Sequence, residues 1–397
     1  MPPPAATLVD RYLELGLRLG HHLDGMVDAY YGPPELAARI DDEPVRALPA
    51  LVTDARALVA DLDAGDGDLD ATRRRWLRAQ MVGLHTSARQ LSGEDVSFVD
   101  EVESCYGVRP TPVPHDELAD AHRRLDAVLP GSGPLAGRLD TWRATHLLTR
   151  EQLAAAVHTL ADAFRERTDT AFGLPDGEHI DFELVTDQPW SGFNYYEGDL
   201  RSRVAINIDL PVSSTAIGHL IAHEAYPGHH TEHCRKEVGL VRERGHLEES
   251  IFLVGTPQCL LAEGLADTAL EALLGTHPEP VLAELLHPLG IHYDTEVVAA
   301  VAEASEALGA VRGNVALLLH DQKRPEDEAV AELEQWALLS HERAVKSISF
   351  LTHPTWRAYV FCYVAGYPLC RDFVAGDPAR FERLLTEQFV PADLIAM

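Results

Sequence analysis

The sequence predicts a mainly α-helical fold with a small β-sheet, and three observations carry that expectation. Apolar residues recur at helical spacing over most of the chain. Only two stretches, Ile180 to Thr186 and Arg203 to Leu210, carry convincing strand patterning. Soon after the second lies a helix-patterned stretch, Ile217 to Cys234, that holds His219, His223, Glu224, His229, His230, Glu232 and His233 within about five helical turns.

In chain order, Leu8, Tyr12, Leu13, Leu17 and Leu19 open an amphipathic helix. Similar patterns run from Leu48 to Leu62, Arg73 to Leu91, Leu118 to Leu129 and Leu153 to Phe164. Tyr31-Gly32-Pro33 and the proline-rich run from Pro110 to Pro114 punctuate them. The acidic turn from Ala64 to Asp68 lacks the closing bidentate glutamate of a calcium loop and is expected to be a connector. His21, His22 and Asp24 are expected at a solvated helix end, although they are also placed to line a cleft. In the second strand Val204, Ile206, Ile208 and Leu210 alternate with Ala205, Asn207 and Asp209, which predicts one buried face. The segment between the strands, Gln188 to Gly198, mixes turn formers with aromatics. After Gly275 the pattern is helical again. Residues 1–175 are expected to form an amino-terminal helical lobe and 176–397 a catalytic region, together one continuous two-lobed unit.

The composition excludes several functions. The net charge is -30, and lysine occurs only at 236, 323 and 346. Such an acidic surface repels phosphate backbones, which argues against nucleic acid and anionic membranes as partners and favours cationic substrates. The first twenty residues have neither a basic nor an apolar leader segment, and no apolar stretch is long enough to span a bilayer. Cys105, Cys234, Cys259, Cys362 and Cys370 are scattered and odd in number, which fits free thiols in a reducing, cytoplasmic setting. Cys234, near the histidines, is expected to be a buried, idle thiol.

Ser213, Ser214 and Thr215 are expected to cap the helix that leads into the histidine-rich stretch. His223-Glu224 is the first half of the H-E-x-x-H zinc motif, but Pro227 occupies the place of the second histidine. Six residues of regular helix turn through roughly 600°, which would put His223 and His229 on different faces. Pro227 removes one helical hydrogen bond and clashes with the carbonyl of His223, and Gly228 opens backbone angles closed to other residues. A break or bulge there would return His229 to His223. His219 and His230 remain rival ligands. In the helix-patterned run from Leu260 to Gly275, Glu263 and Asp267 stand one turn apart. By resemblance to gluzincins, Glu263 would be a third ligand and Asp267 the acceptor orienting a bound imidazole.

His223-Glu224-Ala225-Tyr226-Pro227-Gly228-His229, then Glu263-Gly264-Leu265-Ala266, and Tyr363 with Gly366 and Arg371 resemble the bacterial domain of unknown function 885 family. That family is mostly helical and zincin-like. The resemblance covers the second half of the chain. Glu232 stands where glutamine is usual, and Leu265 where tryptophan is usual. The resemblance implies a gluzincin-like helical core with the small sheet beside the metal helix. It also implies metallopeptidase chemistry on a peptide or small amide substrate. The expected site is a zinc ion on His223, His229 and Glu263, with Glu224 as general base and Tyr363, ahead of Tyr367 and Tyr226, meeting the oxyanion. The alternative is a helical metal- or peptide-binding protein without turnover.

Overall fold

The computed structural model describes residues 6–396 apart from 66, 189 and 210. Asp66 of the acidic turn, Pro189, Leu210 of the expected strand and Met1–Ala5 therefore lie outside the described residues. Helix accounts for 64% of the chain and strand for 8%, so the protein is mainly helical with small sheets.

The amino-terminal helix Leu8–Gly20 starts where Thr7 and Asp10 form a reciprocal capping box. Its buried face, with Tyr12, Leu13 and Leu19, packs against Leu48–Ala64 and Ala71–Leu91. Trp76, Leu77, Met81 and Leu84 complete this smaller core, which closes on Ile251 and Leu253 from the second half of the chain. Those two residues belong to a strand, β5 (Ile251–Leu253), that pairs antiparallel with β1 (Val27–Tyr30). Neither strand was expected. Each is too short for a period-2 pattern, and Val27 meets Leu253 only through the tertiary fold. The register runs Val27 with Leu253 and Ala29 with Phe252, which leaves Asp28 as the extra residue of a β-bulge.

The second sheet contains β2 (His179–Val185), β3 (Gly192–Gly198) and β4 (Arg201–Asn207) in the order β2-β4-β3. β2 runs parallel to β4, and β3 antiparallel to it. β3 corrects the expectation of an irregular loop. Phe193, Tyr195 and Tyr196 are aromatics suited to strands, but Asn194 and the flanking glycines hide the pattern. In β4 not only Val204 and Ile206 but also Ala205 and Asn207 are buried, so the expected two-faced strand is covered on both sides. The Asn207 amide explains its own burial, because it donates to the carbonyls of Gln188 (2.8 Å) and Trp190 (3.0 Å) and pins the loop.

The larger core draws on helices from both sides of residue 175 and centres on Pro257–Leu274 packed against Val360–Val374. Those two helices approach unusually closely. A Cβ at Gly264 would lie 2.3 Å from the Gly366 carbonyl oxygen, and one at Gly366 would lie 2.6 Å from that of Leu260. All five cysteines are buried and unpaired. Among the described residues no helix is long and apolar enough to cross a membrane. Replacing Gly264 with alanine should force the helices apart and destabilise the protein by about 1–3 kcal/mol, the usual cost of overpacking, read from denaturant titration. An unchanged midpoint would show that the contact is not tight.

Candidate metal centre

The histidine-rich stretch folds as two short helices, Ile217–Glu224 and His229–Lys236. The first is not capped by Ser213, Ser214 or Thr215 as expected: Ala216 holds the cap position and no side chain bonds the end. Residues 213–216 instead form a turn in which the Ser213 carbonyl accepts from the Ala216 and Ile217 amides. Their hydroxyls are engaged elsewhere, Ser213 with Thr215 (2.9 Å) and Ser214 with His146 (3.4 Å).

Between the helices the backbone absorbs two residues. The Gly228 amide donates to the Ala222 carbonyl (2.8 Å) and the Thr231 amide to that of Ala225 (3.4 Å), so these bonds reach back six residues instead of four. The regular pattern resumes with Glu232 bonded to Gly228 (2.9 Å). Only glycine fits at 228, since a Cβ would lie 2.0 Å from the His223 carbonyl oxygen. The His223 and His229 rings consequently meet, with centroids 4.7 Å apart and planes 89° to one another.

A buried clamp holds this turn. Glu178, just before β2, accepts from the Tyr226 hydroxyl (2.7 Å) and bonds His230 Nε2 (2.8 Å), so it grips both sides of Pro227-Gly228-His229. Arg165 donates to its other oxygen (2.6 Å). Burial works to raise the Glu178 pKa, but the bonds from His230 and Tyr226 outweigh it and bring it down to about 2. His230 also bonds Ser202 Oγ through Nδ1 (2.8 Å), so neither nitrogen of this rival ligand is free. Tyr226, a rival for the oxyanion role, is likewise engaged on Glu178. Sequence reasoning missed Glu178, whose partners are distant in the chain.

His223 Nε2 lies 3.5 Å from Glu263 Oε2, and His229 Nε2 lies 3.3 Å from Glu263 Oε1. Ligand atoms at about 2.0–2.1 Å around a tetrahedral zinc ion stand roughly 3.3–3.4 Å apart, so these spacings fit one shared ion. Glu263 Oε2 is buried without a hydrogen bond, a costly state for a carboxylate oxygen unless a cation meets it. The Nδ1 of His223 bonds Asp267 (3.0 Å), which fixes the ring with Nε2 towards Glu263. His219, the other rival, contacts Asp267 (3.3 Å) with its side chain 48% exposed, and His219, His223 and Asp267 form a second group whose ligand atoms lie within 4.8 Å of one another. Burial alone would lower the pKa of His223, yet Asp267 and Glu263 raise it well above the ordinary value. Burial would likewise raise that of Glu263, but His223 and His229 hold it far below the usual carboxylate range.

Glu224 stands within 4.8 Å of the His223 and His229 ligand atoms. Its backbone carbonyl accepts from Asn194 of β3 (2.6 Å), while its carboxylate makes no hydrogen bond with the described residues. Burial raises its pKa, and the two histidines oppose the rise. Tyr363 is 39% exposed, with its ring 5.6 Å from that of Tyr359. Desolvation raises its phenol pKa, and the charges of Glu263, Asp267 and Glu224 raise it further. Tyr359, unforeseen, donates to Glu263 Oε1 (2.8 Å). Tyr367 stands apart, with the Arg371 guanidinium 5.1 Å from its ring.

His21 and His22 do occupy a solvated helix end, bonded to Asp41 and to the Arg46 carbonyl. Asp28, on the bulge of β1, lies near enough to the site to feel its charges. Burial lifts its pKa to about 7, opposed by His229 and reinforced by Glu263 and Glu224. No sequence signal marks a bulge, so Asp28 was not foreseen. Glu232 is engaged by Lys236 Nζ (2.7 Å), and Cys234 is buried beside His230.

No family model matches the chain, and no curated protein matches it. Two solved structures resemble it. A candidate lipoprotein from Colwellia psychrerythraea superposes with a TM-score of 0.52 at 16% identity, over 91% of this chain and 61% of that one. A candidate lipoprotein of unknown function from Shewanella oneidensis gives 0.45 at 14% identity, over 88% of this chain and 72% of that one. The first likeness is one of fold alone, and this chain spans only 61% of that neighbour's length.

Removal of the Asp267 carboxylate should leave the His223 ring loosely oriented. Asp267→Ala is expected to weaken zinc affinity by roughly 10- to 100-fold in a chelator competition titration. Equal affinities would remove Asp267 from any role in holding the ligand.

Proposed function

We propose that the protein is a metal-dependent hydrolase, a zinc metallopeptidase with a gluzincin-like core, acting on peptides or small amides. The placing of both imidazoles on one buried carboxylate carries this reading, His223 Nε2 3.5 Å from Oε2 and His229 Nε2 3.3 Å from Oε1 of Glu263, because two histidines and a glutamate are a donor set of catalytic zinc sites. The H-E-x-x-P-G-H heptapeptide and its resemblance to the domain of unknown function 885 family add support. An ion held by these residues would supply Lewis acidity, activating water and polarising a carbonyl.

The remaining chemistry belongs to the protein. Glu224 would accept the proton from the attacking water and deliver it to the leaving amine. Its raised pKa suits that exchange, since a base works best with a pKa near the operating pH. Tyr363, accessible and held protonated by its raised pKa, would donate a hydrogen bond to the oxygen that gains charge. Tyr359 and Asp267 would orient Glu263 and His223. β3 lies against Glu224, where a Cβ at Gly192 would come within 3.3 Å of its side chain, so this strand would form one wall beside the substrate.

Glu224→Gln keeps the size of the side chain and removes its basicity. Zinc should remain bound, while cleavage of a responsive peptide falls by roughly 10²- to 10⁴-fold. His223→Ala should lose zinc and cleavage together. Metal stoichiometry and peptide hydrolysis on the three proteins decide the matter, and full activity in Glu224→Gln would overturn the mechanism.

A further inference from the structure

The helix that begins with His229 carries a second set of buried charges, and these do not cancel. Glu232 and Lys236 are both buried on it, with Lys236 Nζ donating to Glu232 Oε1 (2.7 Å). Glu248 and Glu249, in the turn Leu247–Ser250, are buried as well. Arg73 forks onto Glu248 (2.8 and 2.7 Å), which leaves Lys236 as the cation for both Glu232 and Glu249. Burial works against the Lys236 charge, but Glu232 and Glu249 outweigh it and raise its pKa. One ammonium therefore faces two carboxylates. In keeping with that excess, burial pushes the Glu249 carboxyl up to about 7, against the pull of Lys236.

A cavity of about 10 Å³ joins these groups. Glu232, Lys236 and Gln258 line it, and Gln258 Nε2 donates to Glu249 Oε2 (3.0 Å). Three oxygens here make no hydrogen bond with the described residues: Glu232 Oε2, Glu249 Oε1 and Gln258 Oε1. Their residues are only 2–6% exposed, so acceptors left unmet are costly. Turning the Gln258 amide over would not help, because it would set an oxygen against Glu249. Helices His229–Lys236, Pro257–Leu274 and Pro378–Thr386 pack around the cavity, with Leu261, Leu265 and Leu384 as an apolar wall. It reaches Glu387, whose side chain is 44% exposed and pairs with Arg383 (3.0 Å), so an ion has a route from solvent.

Charge and donor type decide what fits. A water brings two protons to three acceptors and leaves the extra negative charge in place. A divalent ion overshoots, setting an excess positive charge beside the Lys236 ammonium. A monovalent cation meets the oxygens and cancels the charge. Every unmet group is an oxygen, the ligand that hard cations take. Room for one water-sized occupant favours sodium over the larger potassium. We infer that this cavity is a sodium site, with Glu232 Oε2 and Gln258 Oε1 as ligands and the Glu249 carboxylate as the charge the ion offsets. Glu232 lies three residues after His229 on one helix, and Gln258 five residues before Glu263 on another. The ion thus ties together the two helices that carry candidate zinc ligands. The site stands whether or not the protein is a hydrolase.

The test is thermal unfolding of the full chain in sodium, potassium and choline chloride at about pH 8, where Glu249 is mostly ionised. All three salts are used at one ionic strength, because screening alone stabilises a chain of net charge -30. Sodium should raise the midpoint by about 2–4 °C over choline, as a ligand bound only by the folded state does, and potassium by less. Glu249→Gln removes the extra charge and keeps the shape, so the sodium gain should vanish. Glu326→Gln, which removes one charge from an exposed helix end, should retain it. Sodium NMR line widths give a second reading, with broadening by the parent and Glu326→Gln that Glu249→Gln loses. Equal midpoints in sodium and choline overturn the site, and are the result a buried water would give. A gain that survives in Glu249→Gln, or a larger gain in potassium than in sodium, overturns it too. The comparison of salts on the parent decides the matter even where Glu249→Gln fails to fold.

Discussion

The site depends on one backbone hydrogen bond, from the Gly228 amide to the Ala222 carbonyl. In a continuous helix Gly228 would bond Glu224, and His229 would lie roughly 600° around the axis from His223. Reaching back six residues removes the excess rotation and sets the two rings edge to face. Glycine is required because two carbonyl oxygens, of Ala222 and His223, occupy the space a Cβ would need. The resulting turn leaves carbonyls and amides without their helical partners. Asn194 of β3 and the Thr231 hydroxyl donate to the Glu224 and Ala225 carbonyls, and Glu178, just before β2, holds the flanking Tyr226 and His230 side chains, so the second sheet is part of the turn's support.

Everything that meets the two histidines is delivered by close packing. Gly264 follows Glu263 directly, and its missing side chain lets the Val360–Val374 helix approach. That approach places Tyr359 on Glu263, with the Tyr363 ring one turn further on and 5.6 Å from that of Tyr359. The glycine beside the acidic residue thus acts through helix contact, not backbone flexibility. The amino-terminal helices reach the site differently, through the β1–β5 ladder and its bulge at Asp28.

What was legible in the sequence is local. Helical periodicity located most helices, and the spacing of His223, Glu224, Pro227, Gly228 and His229 told of an interrupted helix. Glu263 and Asp267 were legible as a pair one turn apart on an apolar helix. The features that escaped notice are those that distant pairing creates. β1 and β5 are strands only because each has the other. Glu178 lies in an ordinary loop, and nothing local announces that Tyr226, His230 and Arg165 converge on it. The serines before the Ile217–Glu224 helix failed as caps for the same reason, since His146 offers one hydroxyl a partner that the sequence does not reveal.

The electrostatics of the site follow from its geometry. Glu263, Asp267, Glu224 and Asp28 crowd around two imidazoles in a partly closed space. Without a cation, protons are the only positive charges near enough to relieve them, and His223 accordingly holds its proton more tightly than an ordinary histidine. A divalent ion would compete with those protons for the same nitrogens, because only the neutral ring binds metal. The buried Oε2 of Glu263 makes no hydrogen bond of ordinary length. It faces Nε2, 3.5 Å away, and an ion between the two would meet both at once. Asp267 and Glu263, one turn apart on the same helix, therefore stand at opposite nitrogens of one ring: the first sets its orientation, and the second would share an ion with it.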